Sequence, residues 1–207
     1  MGVVQTPERA EFRPTFGKVL TVCIGVICAV SLIWVVAGEG AVALIEVGPW
    51  LGLVAGGCWA AFWNPRVVVD DSGVQFVNVL RTIHVPWPAI HAVDTKFALT
   101  LITAYGRFTG WAAPAPGAHA AVRATKGNVR MIPDSAWSAG GIRPGDLPST
   151  PSGNAALLIR RRWETLREAG HLESPMLEHD RVPIRWHWRT IATASALIAI
   201  GVVGLFV

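Results

Sequence analysis

Asp70 and Asp71 stand side by side in the stretch RVVVDDSGVQFVNVL, and paired carboxylates are the first residues in this sequence that could share a proton or hold a cation. Neighbouring residues at the end of an extended run project to opposite sides, so the two cannot converge on one ligand without a special turn. The Ser72-Gly73 that follows makes them turn residues instead. His84 and His91 lie seven apart with no Asp or Cys at useful spacing, and His119, His171, His179 and His187 are scattered, so no metal site is expected. Ser72, Ser135 and Ser138 belong to no nucleophile elbow, and HExxH, GxGxxG and GxxxxGK[ST] are absent. Cys23, Cys28 and Cys58 sit within apolar runs and form neither a CxxC nor a Cys/His cluster, which makes them small apolar fillers. No cofactor is expected, haem included, because no opposed pair of histidines falls at bilayer depth. The chain reads as a non-enzyme.

The remaining candidates are binding residues. Arg160, Arg161 and Arg162 form a basic run suited to anionic lipid headgroups or, equally, to a solvated helix face. Trp186, Trp188 and Arg189 precede an apolar run, where an interfacial belt that meets lipid or a partner belongs. Glu46 is an ionisable group close to lipid; at the outer interface it meets water, and against a partner subunit it could pair or relay a proton.

Composition says which elements must position these groups. Of 207 residues, 52% are apolar, 15% are charged and ten are tryptophan, with a net charge of +4; the mean hydropathy is +0.42. That is too apolar a skin for water and points to lipid. The basic excess is modest and lies between the apolar runs, which fits a membrane surface better than nucleic acid. Val19–Gly38 is a charge-free run of 20 residues, which at about 1.5 Å per residue matches a hydrocarbon core of about 30 Å. Ala41–Trp63 is a second span, in which Pro49 starts or kinks the helix near Val47 and Gly52, Gly56 and Gly57 permit close helix contact. Thr190–Val207 is a third, just long enough and without a polar face. The first run is preceded by basic residues, as a signal peptide would be, but a second apolar run follows at once with no convincing cleavage site, so an intact hairpin is expected.

Arg9, Arg13 and Lys18 precede the first span, Glu39 and Glu46 border the short connection, and the middle region is bounded by Arg66 and by Arg181, Arg185 and Arg189. The positive-inside rule therefore places residues 1–18 and 64–189 in the cytoplasm and the last residue outside. Trp50 and Trp63 flank the second span as interfacial residues, and Trp59 is expected to pack between helices.

Between the spans, residues 64–111 read as a meander of at least five short strands. Gly73 turns the first hairpin, Pro88 ends the VPW strand early, and Tyr105-Gly106 forms a later turn. Residues 112–153, dominated by Pro, Gly, Ser and Ala, are an irregular excursion and a candidate contact surface. Residues 154–170 then form an amphipathic helix with Ile159, Trp163 and Leu166 on one face, Ser152 or Asn154 as cap, Gly170 as stop, and Arg160 facing Glu164. This helix is expected to close a curled sheet. Residues 171–189 read as a linker.

The opening Phe12-Arg13-Pro14, the two apolar runs, and then Pro65-Arg66, Asp71, Gly73-Val74, Leu80-Arg81, Pro86-Trp87 and Ile90 together resemble the bacterial pleckstrin-homology-like domains of small actinobacterial membrane proteins, the low-molecular-weight antigen 6 type. The resemblance covers residues 12–111. It implies an α+β fold, a PH-like bent antiparallel sheet of seven strands or a partial barrel, capped by a C-terminal helix and carried on a membrane α-helical anchor. It brings no catalytic residues. It does not establish phosphoinositide binding either, because the Asp70-Asp71-Ser72-Gly73 turn lacks a basic loop. The long excursion and the terminal span depart from the smaller members.

Two functions follow as expectations. In one, the chain is an accessory or assembly-stabilising subunit whose partners are other integral membrane subunits. Family association makes the actinobacterial cytochrome bc–oxidase respiratory supercomplex a candidate host. In the other, it is a free-standing anchored module that binds anionic phospholipids or a peptide.

Overall fold

The computed structural model describes residues 9–115, 137–138, 141–142, 146–147, 150–172 and 181–206. The chain divides into two compact units: Met1–Arg13 with Arg66–Asn78 and Thr82–Arg185, and Pro14–Pro65 with Val79–Arg81 and Trp186–Val207. The candidate surface within 112–153 falls largely outside the described residues.

The first unit is α+β, with antiparallel sheets and a helix. β1 (Arg9–Phe12), β2 (Arg66–Asp70), β3 (Gly73–Val77), β4 (Arg81–Pro86) and β10 (Ile184–Trp186) form one sheet in that order. β5 (Ile90–Asp94), β6 (Ala98–Thr103) and β7 (Gly106–Pro114) form a second, and β8 (Trp137–Ser138) pairs with β9 (Gly141–Ile142). The strands divide into these sheets where a short helical turn at Trp87–Ala89, in which Pro88 removes a ladder donor, separates β4 from β5, within the α+β arrangement expected of a PH-like fold. Asn78 stitches the sheets together: its amide donates to the Thr109 carbonyl at 3.0 Å and its carbonyl accepts from the Trp111 N–H at 2.8 Å.

Alternation explains the core. Val74 and Phe76 of β3, Ile83 and Val85 of β4, and Leu99 and Leu101 of β6 all turn inward and are buried. Gly73, at φ 156°, is required by close approach, since a Cβ there would run into the Val85 carbonyl oxygen. The capping helix α4 (Pro151–Glu168) places Ala155, Ala156 and Ile159 in this core, with Trp163 and Leu166 packed partly against it. Its cap is Thr150, whose hydroxyl accepts from the Gly153 N–H at 3.1 Å, and not Ser152 or Asn154. Pro151 at the first helical position sets that start one turn earlier than the apolar periodicity suggests. Gly170, at φ 75°, ends the helical stretch as expected.

Residues 9–12 correct the picture of residues 1–18 as an arm. β1 pairs antiparallel with β2, with Phe12 opposite Val67 and Arg9 opposite Asp70, and Glu11 holds Arg13 and Arg66 in ion pairs. The apolar hairpin is thus an insertion between two adjacent strands of one sheet. Likewise the linker at 171–189 contains β10, whose neighbour Pro183 accepts from the His84 N–H at 3.1 Å.

The second unit is helical. It consists of α1 (Thr15–Glu39), α2 (Ala43–Glu46), α3 (Gly48–Cys58) continued as a wider turn over Trp59–Trp63, and α5 (Trp188–Gly204). Thr15–Glu39 and Ala43–Trp63 are long and apolar enough to cross a membrane, and Trp188–Gly204 is a shorter apolar helix. The break at Val47, with Pro49 in the first turn of α3, falls where expected. Contact between these helices is made at glycines. A Cβ on Gly17 would collide with the Phe62 carbonyl, one on Gly201 would lie 2.9 Å from the Trp50 ring, and one on Gly204 would lie 2.6 Å from the Ile45 carbonyl oxygen. Gly52 meets Leu197, while Gly56 and Gly57, expected at an interface, face open space. Trp50, expected at the lipid interface, packs on Gly201, and Trp59, expected between helices, is 45% exposed. The pairings 45 with 204, 50 with 201 and 52 with 197 run α5 antiparallel to α2 and α3.

Candidate binding cleft

The Asp70–Gly73 turn is closed to ligands by its own hydrogen bonds. The Asp70 carboxylate accepts from the Ser72 N–H at 3.0 Å, the Gly73 N–H at 3.1 Å and the Gln75 side-chain amide at 3.1 Å, and the Asp70 carbonyl accepts from the Trp87 indole at 2.9 Å. Asp71 is paired with Arg162. The two carboxylates therefore serve different partners, as the turn reading requires.

Arg160 does not face Glu164. Its guanidinium, 13% exposed, pairs at 2.8 Å with Asp146, 4% exposed, and donates to the Val93 carbonyl at 3.2 Å. Thr95 donates to the same Asp146 oxygen at 2.8 Å. A buried carboxylate attracts a buried cation far more strongly than an exposed Glu can, because little water screens the pair. This cluster also ties down the end of the Pro/Gly excursion. Next to it Leu147 is buried, its carbonyl accepting from the Thr150 hydroxyl at 2.8 Å, and Gly153 is required there because a Cβ would collide with that carbonyl. Of the arginine run, Arg161 alone is exposed, Arg162 being half-buried on Asp71.

Trp186, Trp188, Arg189 and Glu46 belong to the helical unit, whereas the Arg160–Arg162 run belongs to the sheet unit. The two indoles lie together, ring centroids 6.4 Å apart, and Arg189 follows them, exposed, in the first turn of α5. Glu46 closes α2, half-buried, beside Gly204. Among the described residues no group of three His, Cys, Asp or Glu could hold a metal ion.

A cleft between β5 and α4 was not foreseen from the sequence. One wall is Trp87, Pro88, Ile90 and His91; the other is Trp163, Arg167 and Leu172; it encloses about 610 Å³. A smaller recess of about 190 Å³ continues it along Ala92 and Val93 toward Glu164. Trp87 is anchored by its indole bond to Asp70, and Arg167 lies over the Trp163 ring at 5.5 Å, one helical turn along. His91 is exposed and is skipped by the β5–β6 register, which passes from Ile90–Thr103 to Ala92–Ile102. The signals that could have found the cleft are the Pro-Trp-Pro triplet at 86–88, which forces a turn beside a sheet edge, and the i, i+4 spacing of Trp163 and Arg167. With aromatic walls, a cationic rim and one imidazole, the arrangement is suited to holding an apolar group next to a negative charge.

No curated protein and no solved structure gave a significant match. Residues 64–148, which run from the foot of the second apolar helix through β2 to β7 to the Asp146 anchor, match the family model described as Bacterial PH domain, and this part of the chain is similar to a PH-like domain.

Proposed function

We propose that the chain is a non-catalytic, membrane-anchored accessory module whose PH-like domain holds a cytoplasmic segment of a neighbouring membrane protein in the cleft between β5 and α4. The cleft carries this reading. Its volume of about 610 Å³ lies within the range of roughly 300–1,000 Å³ typical of ligand pockets. β5 is the edge of its sheet, but the bulge at His91 and the Arg160 guanidinium on the Val93 carbonyl interrupt that edge. Such interruptions disfavour an added strand and favour an inserted side chain. Arg167 has no carboxylate partner among the described residues, so an apolar side chain flanked by an acidic residue fits best.

The anchoring is read as three crossings. Because Phe12 and Val67 are cross-strand neighbours, the chain between them must leave and re-enter on one side of the bilayer, which requires an even number of crossings. α5 has 17 residues, a rise of about 25 Å, somewhat short of a core of about 30 Å. Its antiparallel course beside α3 and α2, ending at Ile45, supports a third crossing. The basic residues at both ends of the sheet unit favour its cytoplasmic placement. An actinobacterial host, of which the cytochrome bc–oxidase supercomplex is one, rests on the sequence resemblance to antigen 6 type proteins.

The test is a photo-crosslinking amino acid in place of His91 in the full-length protein, irradiated in native membranes. A discrete protein adduct that Arg167→Glu reduces severalfold supports the reading. Labelling of lipid alone, or an adduct indifferent to Arg167, counts against it.

A further inference from the structure

The start of α5 carries a cluster that the cleft does not explain. His187 is fixed twice to the loop before β4: its N–H donates to the Leu80 carbonyl at 2.8 Å, and its ring Nδ1 lies 3.2 Å from the Val79 carbonyl. Arg81, distant in sequence, lies over the Trp186 ring at 5.9 Å, and the Trp188 ring centroid is 6.4 Å from that of Trp186. Trp186 is 48% and Trp188 69% exposed, Leu80 is exposed beside them, and Arg81 and Arg189 are exposed. Neither arginine has a carboxylate partner among the described residues. A cation held over one of two uncovered indoles, with a second cation following them in the first turn of an apolar helix and neither compensated, is a poor arrangement in plain water, and it is one that a bilayer interface rewards.

We propose that Arg81 and Arg189, with Trp186 and Trp188, form a binding site for the phosphate of an anionic phospholipid in the leaflet where α5 begins. The charge of the cluster is complementary to a phosphodiester, and guanidinium groups present forked donors to its two free oxygens. The indoles lie at headgroup depth, where their rings meet acyl chain and their N–H groups meet water. The β4–β10 pairing and the His187 bonds together make the site preorganised, since both hold Arg81 beside Trp186. The bc–oxidase or any other host plays no part in this inference, and it does not depend on the cleft.

The experiment is native mass spectrometry of the full-length protein released from nanodiscs of phosphatidylglycerol mixed with phosphatidylcholine, counting retained lipid. Preferential retention of phosphatidylglycerol is expected. Each exposed base near an anionic surface contributes on the order of 1 kcal/mol, which corresponds to about fivefold in retention for Arg81→Gln and about 25-fold for Arg81→Gln with Arg189→Gln. Arg107→Gln, which removes an equal charge from exposed β7, is expected to leave retention unchanged. Equal retention of both lipids, an unaltered count in the double variant, or an equal loss with Arg107→Gln would overturn the proposal. Displacement of the lipid by millimolar inorganic phosphate alone would assign the site to a free anion and overturn the lipid as its ligand.

Discussion

In the sheet unit the fully buried side chains are large, Phe76, Ile83, Leu99, Leu101 and Ile159 among them, whereas the helical unit buries Gly17, Cys28, Ala43, Ala60, Gly201 and Gly204 and leaves Ile33, Trp34 and Phe206 uncovered. On the membrane-anchored reading proposed above, the same physical rule produces both. In water, a large side chain stabilises by leaving the solvent, so it goes inside. In hydrocarbon it gains nothing by moving inward, and helices associate where small residues let their backbones approach. Polar groups follow the same division. The sheet unit affords a buried Asp146–Arg160 pair because Thr95 and the Val93 carbonyl complete its hydrogen bonds, while the buried residues of the helices carry no charge.

The largest expected effect tests the core side of this contrast. Phe76→Ala, which empties the space beneath Gly110, is expected to cost about 4 kcal/mol, read from chemical denaturation of the detergent-solubilised protein by near-ultraviolet circular dichroism. Trp34→Leu, at a position 80% exposed, should leave that curve in place; an equal loss there would mean that α1 is buried against protein and would break the comparison. Asp146→Ala comes next, at about 3 kcal/mol, because it strands the Arg160 guanidinium. If Asp146→Ala with Arg160→Met restores most of the loss, the cost lies in the orphaned charge and not in the loop anchor. For the helices, Gly204→Leu is expected to loosen α5 from α2 by about 2 kcal/mol through overpacking, seen as earlier dissociation of a proteolytically nicked α5 on raising detergent. Gly56→Ala, in open space, should be neutral or slightly stabilising. The smallest effect is Thr150→Ala, about 1 kcal/mol from the lost cap, measured in the same denaturation assay as Phe76→Ala.

Much of this was legible in the residues. Period-two alternation located β3, β4 and β6, the Asp-Ser-Gly turn and Pro88 were read correctly, and the apolar runs marked the helices to within a few residues. What stayed hidden was nonlocal. Four residues of arm, RAEF, carry no strand signal strong enough to compete with the long helix after them, and they become β1 because β2 offers a free edge. Arg160 looks like a partner of Glu164 at four-residue spacing, and nothing local announces Asp146. Gly52, Gly56 and Gly57 share a helix and a residue type, yet their sequence cannot say which of them faces Leu197. The cleft was hidden for the same reason: its walls come from a turn at 87–89 and a helix more than sixty residues later. Trp186 and Trp188 stand out in the sequence, but Arg81 does not, because the β4–β10 pairing and the His187 bonds to Val79 and Leu80 bring it to them.

The pairing of β1 with β2 also governs the order in which the molecule can be made. β1 leaves the ribosome before β2, which follows only after both apolar helices have emerged, so the sheet stays open until then. During that interval Arg9–Phe12 is an unpaired strand open to any passing edge. A fragment begun at Asn64 would instead leave the Val67–Asp70 edge of β2 uncovered permanently, and self-association of such a fragment is the behaviour to expect of a sheet cut away from its first strand.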